Sequence, residues 1–70
     1  MKNITQAQLQ NEIVSFENEN HILEMTTNAK GEFVIFLNGP AIKVFKSWKA
    51  FVQKAEELIS NLQLSQTDEA

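Results

Sequence analysis

The first apolar pattern in the chain has the spacing of a helix. Leu9, Ile13 and Phe16 recur at steps of three or four residues, which places them on one side of a helix. Thr5 precedes this pattern and belongs to the residue types that cap helix N-termini. The sequence therefore predicts a helix over residues 6–17, ended by the polar Asn-Glu-Asn cluster that follows.

A longer apolar stripe near the other end of the chain predicts a second helix. Ser47 stands before it as a suitable N-cap. The stripe falls on one face over four helical turns and is the strongest periodic pattern in the sequence. Its members are Trp48, Phe51, Val52, Ala55, Leu58, Ile59 and Leu62.

Between the two helices, three apolar runs are separated by two turn sequences. "NAKG", residues 28–31, matches a three-residue hairpin loop that closes with a glycine. Asn38-Gly39 suits a two-residue type I′ turn. The runs predict a three-stranded antiparallel meander, with strands over residues 21–28, 32–37 and 40–46.

The two turns also set a strand register. Across the first turn, Thr27 is expected opposite Phe33, Met25 opposite Ile35, and Leu23 opposite Leu37. Across the second turn, Ile35 is expected opposite Ile42, and Phe33 opposite Val44. Because side chains alternate between the two faces of a sheet, nine residues then share one face, of which one is polar. This predicted core face consists of Leu23, Met25, Thr27, Phe33, Ile35, Leu37, Pro40, Ile42 and Val44.

These elements predict an α+β fold, a two-layer sandwich of order αβββα with both helices on one face of the three-stranded antiparallel meander. Residues 1–64 are expected to form a single domain and residues 65–70 a disordered polar tail. A chain of 70 residues, 43% of them hydrophobic, folds around a small core, which favours support from self-association or a partner.

The residue inventory argues against catalysis and against a metal or cofactor site. The chain has one histidine, His21, no cysteine, and its aspartate Asp68 lies in the predicted tail. His21 has no suitably spaced ligand or orienting group, and both glycines are used in turns. We therefore expect no enzyme activity, no catalytic residue, no cofactor and no small-molecule substrate.

Charge and hydropathy narrow the expected surroundings of the protein. No apolar run is long enough to span a membrane, and the start of the chain lacks the apolar core of a signal peptide. The expectation is a cytoplasmic protein without membrane contact. The net charge of −3 and the absence of arginine argue against a general nucleic-acid binder.

An apolar cluster on the second face of the predicted meander is the main candidate binding site. Its residues are Val34, Phe36, Ala41, Lys43 and Phe45. Contiguous exposed apolar residues often mark a protein contact, so a protein partner or a second copy is expected on this uncovered face. Two structural explanations stay open: aromatic and β-branched residues favour strands in general, or the first helix packs on this face.

The segment "KVFKSWKAFVQK" is the alternative candidate, for nucleic acid. It holds Lys43, Lys46, Lys49 and Lys54, interleaved with aromatic residues that could stack on bases. The competing interpretation is that the aromatic residues belong to the core and the lysines to a solvated rim. The glutamates that precede the segment could mimic nucleic-acid phosphate, although scattered surface charges explain the same count.

The predicted element order resembles the double-stranded-RNA-binding domain, an αβββα fold of similar length. The resemblance implies that the basic cluster of that family, of the KKxAK type, falls on "SWKAF", where Lys49 and Ala50 are similar and Trp48 departs. The GPxH-like loop of the family is replaced by "NAKGE" between the first two predicted strands. The resemblance thus extends to the order of elements and does not assign the chain to a specific family.

The sequence leads to one functional hypothesis and one alternative. The hypothesis is a small non-enzymatic protein-binding module, an accessory protein of a phage or mobile element that inhibits or modulates a host protein complex, such as a defence system, by occupying its surface. Small size, acidity and a lysine-only, asparagine-rich composition suggest this context. The alternative is a nucleic-acid-binding module that uses the lysine segment.

Overall fold

The computed structural model describes residues 4–66, which form one antiparallel sheet and two helices. The elements in chain order are α1 (Gln6–Asn11), β1 (Val14–Glu17), β2 (Ile22–Thr27), β3 (Phe33–Leu37), β4 (Ala41–Phe45), α2 (Trp48–Leu62) and β5 (Ser65–Gln66). Their order across the sheet is β4-β3-β2-β1-β5. The α+β class is confirmed, but the described sheet has five strands where the sequence predicted three.

Helix α1 begins where predicted and ends early. The Thr5 hydroxyl accepts a hydrogen bond from the Gln8 N–H at 3.1 Å, which confirms the predicted cap. The helix stops at Asn11, because Glu12 is extended with φ −156° and ψ 167°. The hydroxyls of Thr26 and Thr27 both donate to the Leu9 carbonyl at 3.3 Å and so hold α1 at the end of β2.

Strand β1 occupies residues that the sequence assigned to the first helix. Val14 and Phe16 are buried, and they pair with Met25 and Leu23 of β2. The prediction of a helix over residues 6–17 is therefore wrong beyond Asn11. Two causes act together: β-branched residues at 13 and 14 favour extended backbone, and β2 offers an edge whose pairing buries two large side chains.

Helix α2 matches the predicted stripe. The Ser47 hydroxyl accepts from the Ala50 N–H at 3.3 Å, which confirms the N-cap. Phe51 and Ala55 are fully buried, and the rest of the stripe packs around them as partly buried residues. The Phe51 ring lies 5.4 Å from the ring of Phe33 between centroids, so α2 covers the face of the sheet to which Phe33 belongs.

The first hairpin has the predicted turn and register. Gly31 takes the left-handed conformation, φ +80°, that the turn requires, and Asn28 accepts the Gly31 N–H on its carbonyl at 3.0 Å. The predicted pairs across this turn are confirmed: Thr27 with Phe33, Met25 with Ile35, and Leu23 with Leu37.

The second hairpin has the predicted turn and a different register. Asn38 and Gly39 both have positive φ, 54° and 114°, as a type I′ turn demands. Beyond it, Phe36 pairs with Ala41 but Ile35 pairs with Lys43, so β4 contains one extra residue, Ile42. This irregularity is a β-bulge, and it shifts every later residue of β4 by one position.

The bulge overturns the predicted pairing of β3 with β4. Val44 pairs with Val34, and Phe45 pairs with Phe33. The sequence predicted Val44 opposite Phe33. Pro40 has no N–H to donate to the ladder, which weakens the pairing next to the turn and leaves room for the extra residue. The shift brings the Phe45 ring to 6.2 Å from the Phe51 ring, edge to face, and this contact favours the bulged register.

The core lies between α2 and one face of the sheet. It consists of Ile4, Leu9, Val14, Phe16, Leu23, Met25, Phe33, Ile35, Phe51, Ala55 and Leu64. Four members of the predicted core face are confirmed as buried: Leu23, Met25, Phe33 and Ile35. The prediction is wrong for Ile42 and Val44, which are 43% and 49% exposed, and for Pro40, which is also exposed.

The chain after α2 turns back along the sheet. Gln63 adopts the left-handed conformation, and the Leu64 N–H donates to the Ile59 carbonyl at 3.0 Å, which closes the helix. Leu64 is then buried, and Ser65–Gln66 form β5 against β1. Residues 65 and 66, predicted as the start of a disordered tail, thus form a strand, while residues 67–70 lie outside the described part of the chain.

Neither helix within residues 4–66 has the length and hydrophobicity needed to cross a membrane.

Candidate protein-binding surface on the sheet

The two faces of the sheet are distinguished by strand register. The face toward α2, here the helix face, carries Val14, Phe16, Leu23, Met25, Thr27, Phe33, Ile35, Leu37, Lys43 and Phe45. Side chains alternate along each strand, so the positions between these point to the other side. That side, here the open face, carries Ser15, Glu17, Ile22, Glu24, Thr26, Val34, Phe36, Ala41 and Val44.

Apolar residues occupy much of the open face. Phe36 is half-buried, Val44 is 49% exposed and Ile22 is 46% exposed. Ile13, one residue before β1, is the most exposed large apolar side chain among the described residues, at 60%. Val34 is 7% exposed yet stands apart from the core cluster, and its cross-strand partners on the open face are Thr26 and Val44.

A depression lies within the open face beside Phe36. It is lined by Ile13, Glu24, Thr26, Phe36 and Gly39, and its volume is about 230 Å³. Glu24, one of these lining residues, is paired with Ser15 on one neighbouring strand and with Phe36 on the other. The depression therefore combines a carboxylate, an aromatic ring and an aliphatic side chain.

The charged side chains at the strand positions of the open face are Glu17, which already has an interaction within the chain, and Glu24, and none of these positions holds a lysine. The bulge in β4 accounts for this, since it places Lys43 opposite Ile35 and so on the helix face.

The residues predicted for protein binding divide between the two faces. Val34, Phe36 and Ala41 lie on the open face, as the sequence predicted. Phe45 lies on the helix face, half-buried against Phe51, and Lys43 lies beside it with Nζ 6.0 Å from the Phe45 ring centroid. The predicted placement of Phe45 and Lys43 on the open face is wrong, because the predicted register had no extra residue in β4.

The lysine segment is not assembled as one aromatic and basic surface. The Trp48 ring packs edge to face on Phe33 at 5.3 Å and against Phe51 at 5.4 Å, so one face of the segment is used by the core. Lys54 Nζ lies 2.9 Å from the Glu57 carboxylate, and Lys46 and Lys49, which lie on either side of the N-cap Ser47, are exposed.

Two open-face residues, Ile13 and Val44, are not predicted as binding residues from the sequence. Ile13 was assigned to a helix stripe and Val44 to the core. The sequence does contain a strand signal next to Ile13. Val14 and Phe16 are apolar at a spacing of two, with polar Ser15 between them, which is a strand pattern. No local signal marks the bulge apart from Pro40.

The polar chemistry of the described residues centres on hydrogen bonding within the fold. The His21 N–H donates to the Asn18 side-chain oxygen at 2.8 Å, while its Nδ1 is buried with no hydrogen-bond partner among residues 4–66. The same residues contain no group of three histidine, cysteine, aspartate or glutamate side chains placed to hold a metal ion.

Comparison of this chain with protein-family models, with curated proteins and with solved structures finds no match.

Proposed function

We propose that this chain is a small non-enzymatic protein-binding module whose contact surface is the open face. One observation carries the proposal: Ile13 and Val44 are exposed, and Phe36 is half-buried, on the sheet face opposite α2. Isolated exposed apolar residues are common on soluble proteins, whereas several on one flat sheet face are typical of contact surfaces.

The proposal includes the arrangement of the layers. Both helices lie on the helix face, and no layer formed by residues 4–66 lies above the open face. Leu9 of α1 belongs to the core cluster together with Phe51 of α2, which supports this placement. A partner that covers the open face would bury Phe36 further. It would thereby stabilise the folded state of a domain that has a small core.

The edge strand β4 extends the proposed surface. It lies at one border of the sheet, and Ile42 and Val44 on it are exposed. An edge strand offers unpaired backbone groups to an extended segment of another chain. Pro40, the bulge at Ile42 and the charge of Lys43 are features that discourage indiscriminate pairing along such an edge, so a selective partner fits better than aggregation.

The biological setting proposed for this module is that of a phage or mobile-element accessory protein that inhibits or modulates a host complex by surface occupation. Its support is compositional: small size, a net charge of −3, and lysine without arginine. A cytoplasmic location belongs to the same proposal.

The test compares charged substitutions on the two faces. Ile13→Glu and Phe36→Asp place a carboxylate on the open face, and Gln53→Glu adds the same charge at an exposed position of α2. Each variant and the parent are immobilised and used to capture proteins from the native host, and the size of each is measured by light scattering. We expect the parent and Gln53→Glu to retain a common partner, or a common dimer, that both open-face variants lose.

The proposal is contradicted if folded Ile13→Glu and Phe36→Asp keep the size of the parent and capture the same proteins. Ile13→Glu guards against a trivial loss of folding, because Ile13 is largely exposed and lies outside the strands. Far-ultraviolet circular dichroism establishes that each variant is folded before capture is compared.

A further inference from the structure

We infer that the depression beside Glu24 receives one arginine or lysine side chain of the partner protein. This inference rests on the proposed function and names the chemistry of the group that the open face recognises. The aliphatic part of that side chain would lie against Phe36 and Ile13, and its charged end would reach the Glu24 carboxylate.

Glu24 is half-buried in a central part of the sheet, where it lies between Ser15 and Phe36 on the neighbouring strands. Its carboxylate makes no hydrogen bond or ion pair with any of residues 4–66. By contrast, Glu32 accepts from the Asn28 amide and Glu57 pairs with Lys54. A partly desolvated carboxylate without a partner gains most from a cation that arrives with its own hydrogen-bond donors.

The second argument is the shape and lining of the depression. A volume of about 230 Å³ is on the scale of a single long side chain. Glu24 faces the Phe36 ring directly across the strands, and Ile13 supplies an aliphatic wall. Long basic side chains bury their methylene stems on apolar surface and keep the charged end on a polar group, which is the combination found here.

Charge complementarity around Glu24 also supports a basic occupant. The strand positions of the open face hold no lysine, since the bulge places Lys43 on the other side, and Glu24 is the carboxylate that lines the depression. A basic side chain therefore meets attraction without a competing positive charge in the sheet. Arginine should be preferred over lysine, because its planar group can stack on Phe36 while it donates two hydrogen bonds to the carboxylate.

The experiment uses four pentapeptides that differ at their central residue, which is arginine, lysine, leucine or glutamate between flanking valines. Each is titrated into the isotope-labelled parent, Glu24→Gln and Glu57→Gln, and backbone amide shifts are followed by NMR. We expect the arginine peptide to bind most tightly and to shift the amides of Glu24, Thr26, Phe36 and Gly39. Glu24→Gln should weaken it about tenfold, because a charge-assisted hydrogen bond is lost, and Glu57→Gln should leave it unchanged.

Three results would overturn the inference. Equal binding of the leucine and arginine peptides, unaffected by Glu24→Gln, would show an apolar contact site that does not select a cation, and the proposed function would stand. Failure of all four peptides to shift these amides would remove the side-chain site, while the capture experiment still judges the protein contact. If the parent is dimeric and Glu24→Gln makes it monomeric, the occupant is a lysine of a second copy and not a separate partner.

Discussion

The side-chain amide of Asn18 donates a hydrogen bond to the backbone carbonyl of Leu62, at 2.7 Å between Nδ2 and oxygen. The two residues are 44 positions apart, and the bond joins the turn after β1 to the last turn of α2. The Asn18 side-chain oxygen also accepts the N–H groups of Asn20 and His21, both at 2.8 Å. One side chain thus shapes the β1–β2 turn and closes the C-terminal end of the helix.

Asn18→Ala should destabilise the fold more than its position in a turn suggests. Three hydrogen bonds are lost, and we expect the free energy of unfolding to fall by about 2 kcal/mol. Urea denaturation followed by Trp48 fluorescence measures this. Asn20→Ala in the same turn is the matched control, with an expected change below about 0.5 kcal/mol. Equal effects of the two substitutions would contradict the role given to Asn18.

The bulge in β4 predicts opposite consequences for two neighbouring residues. Phe45 packs against Phe51, whereas Val44 is 49% exposed on the open face. We expect Phe45→Ala to lower the free energy of unfolding by about 2–3 kcal/mol and Val44→Ala by less than about 0.5 kcal/mol. An unbulged hairpin would reverse this order, because it would place Val44 on the helix face. Thermal and urea unfolding of the two variants therefore decides the register.

Asn38 in the second turn is hydrogen-bonded to Ile22, the first residue of β2. Its side-chain oxygen accepts the Ile22 N–H and its own N–H donates to the Ile22 carbonyl, both at 2.8 Å. Asn38→Gly suits the positive φ and removes the side-chain bond, so a loss of about 1 kcal/mol in unfolding free energy is expected. Asn38→Ala adds backbone strain and should cost about 2 kcal/mol. Identical unfolding midpoints for the two variants would show that the backbone conformation contributes nothing.

The lysine segment yields a prediction against nucleic-acid binding. The Phe51 ring is fully buried and the Trp48 ring is half-buried against Phe33, so neither offers a fully exposed ring for stacking on bases. We expect a single-stranded oligonucleotide titrated at low and at physiological salt to show no saturable binding, monitored by fluorescence anisotropy. Saturable binding that falls steeply with salt, and that Lys43→Glu with Lys46→Glu abolishes, would favour the nucleic-acid alternative instead.

The sequence by itself determined the features whose causes lie within a few residues. The caps at Thr5 and Ser47 depend on one side chain and the next turn of helix, and both turn types follow from residues that accept positive φ. The apolar stripe of α2 and the register of β2 with β3 follow from local spacing in the same way. Phe36 could be placed on the open face because its register with β2 depends on the first turn alone.

Tertiary structure decided the features whose causes lie in distant segments. Residues 13–16 can form a helix or a strand by local spacing, and the edge of β2 selected the strand because pairing there buries Val14 and Phe16. The extra residue at Ile42 is selected by the packing of Phe45 on α2, which is formed by residues further along the chain. The absence of a lysine from the strand positions of the open face is a consequence of that bulge. It could not be read from the sequence, because a shift of one residue exchanges the two faces of a strand.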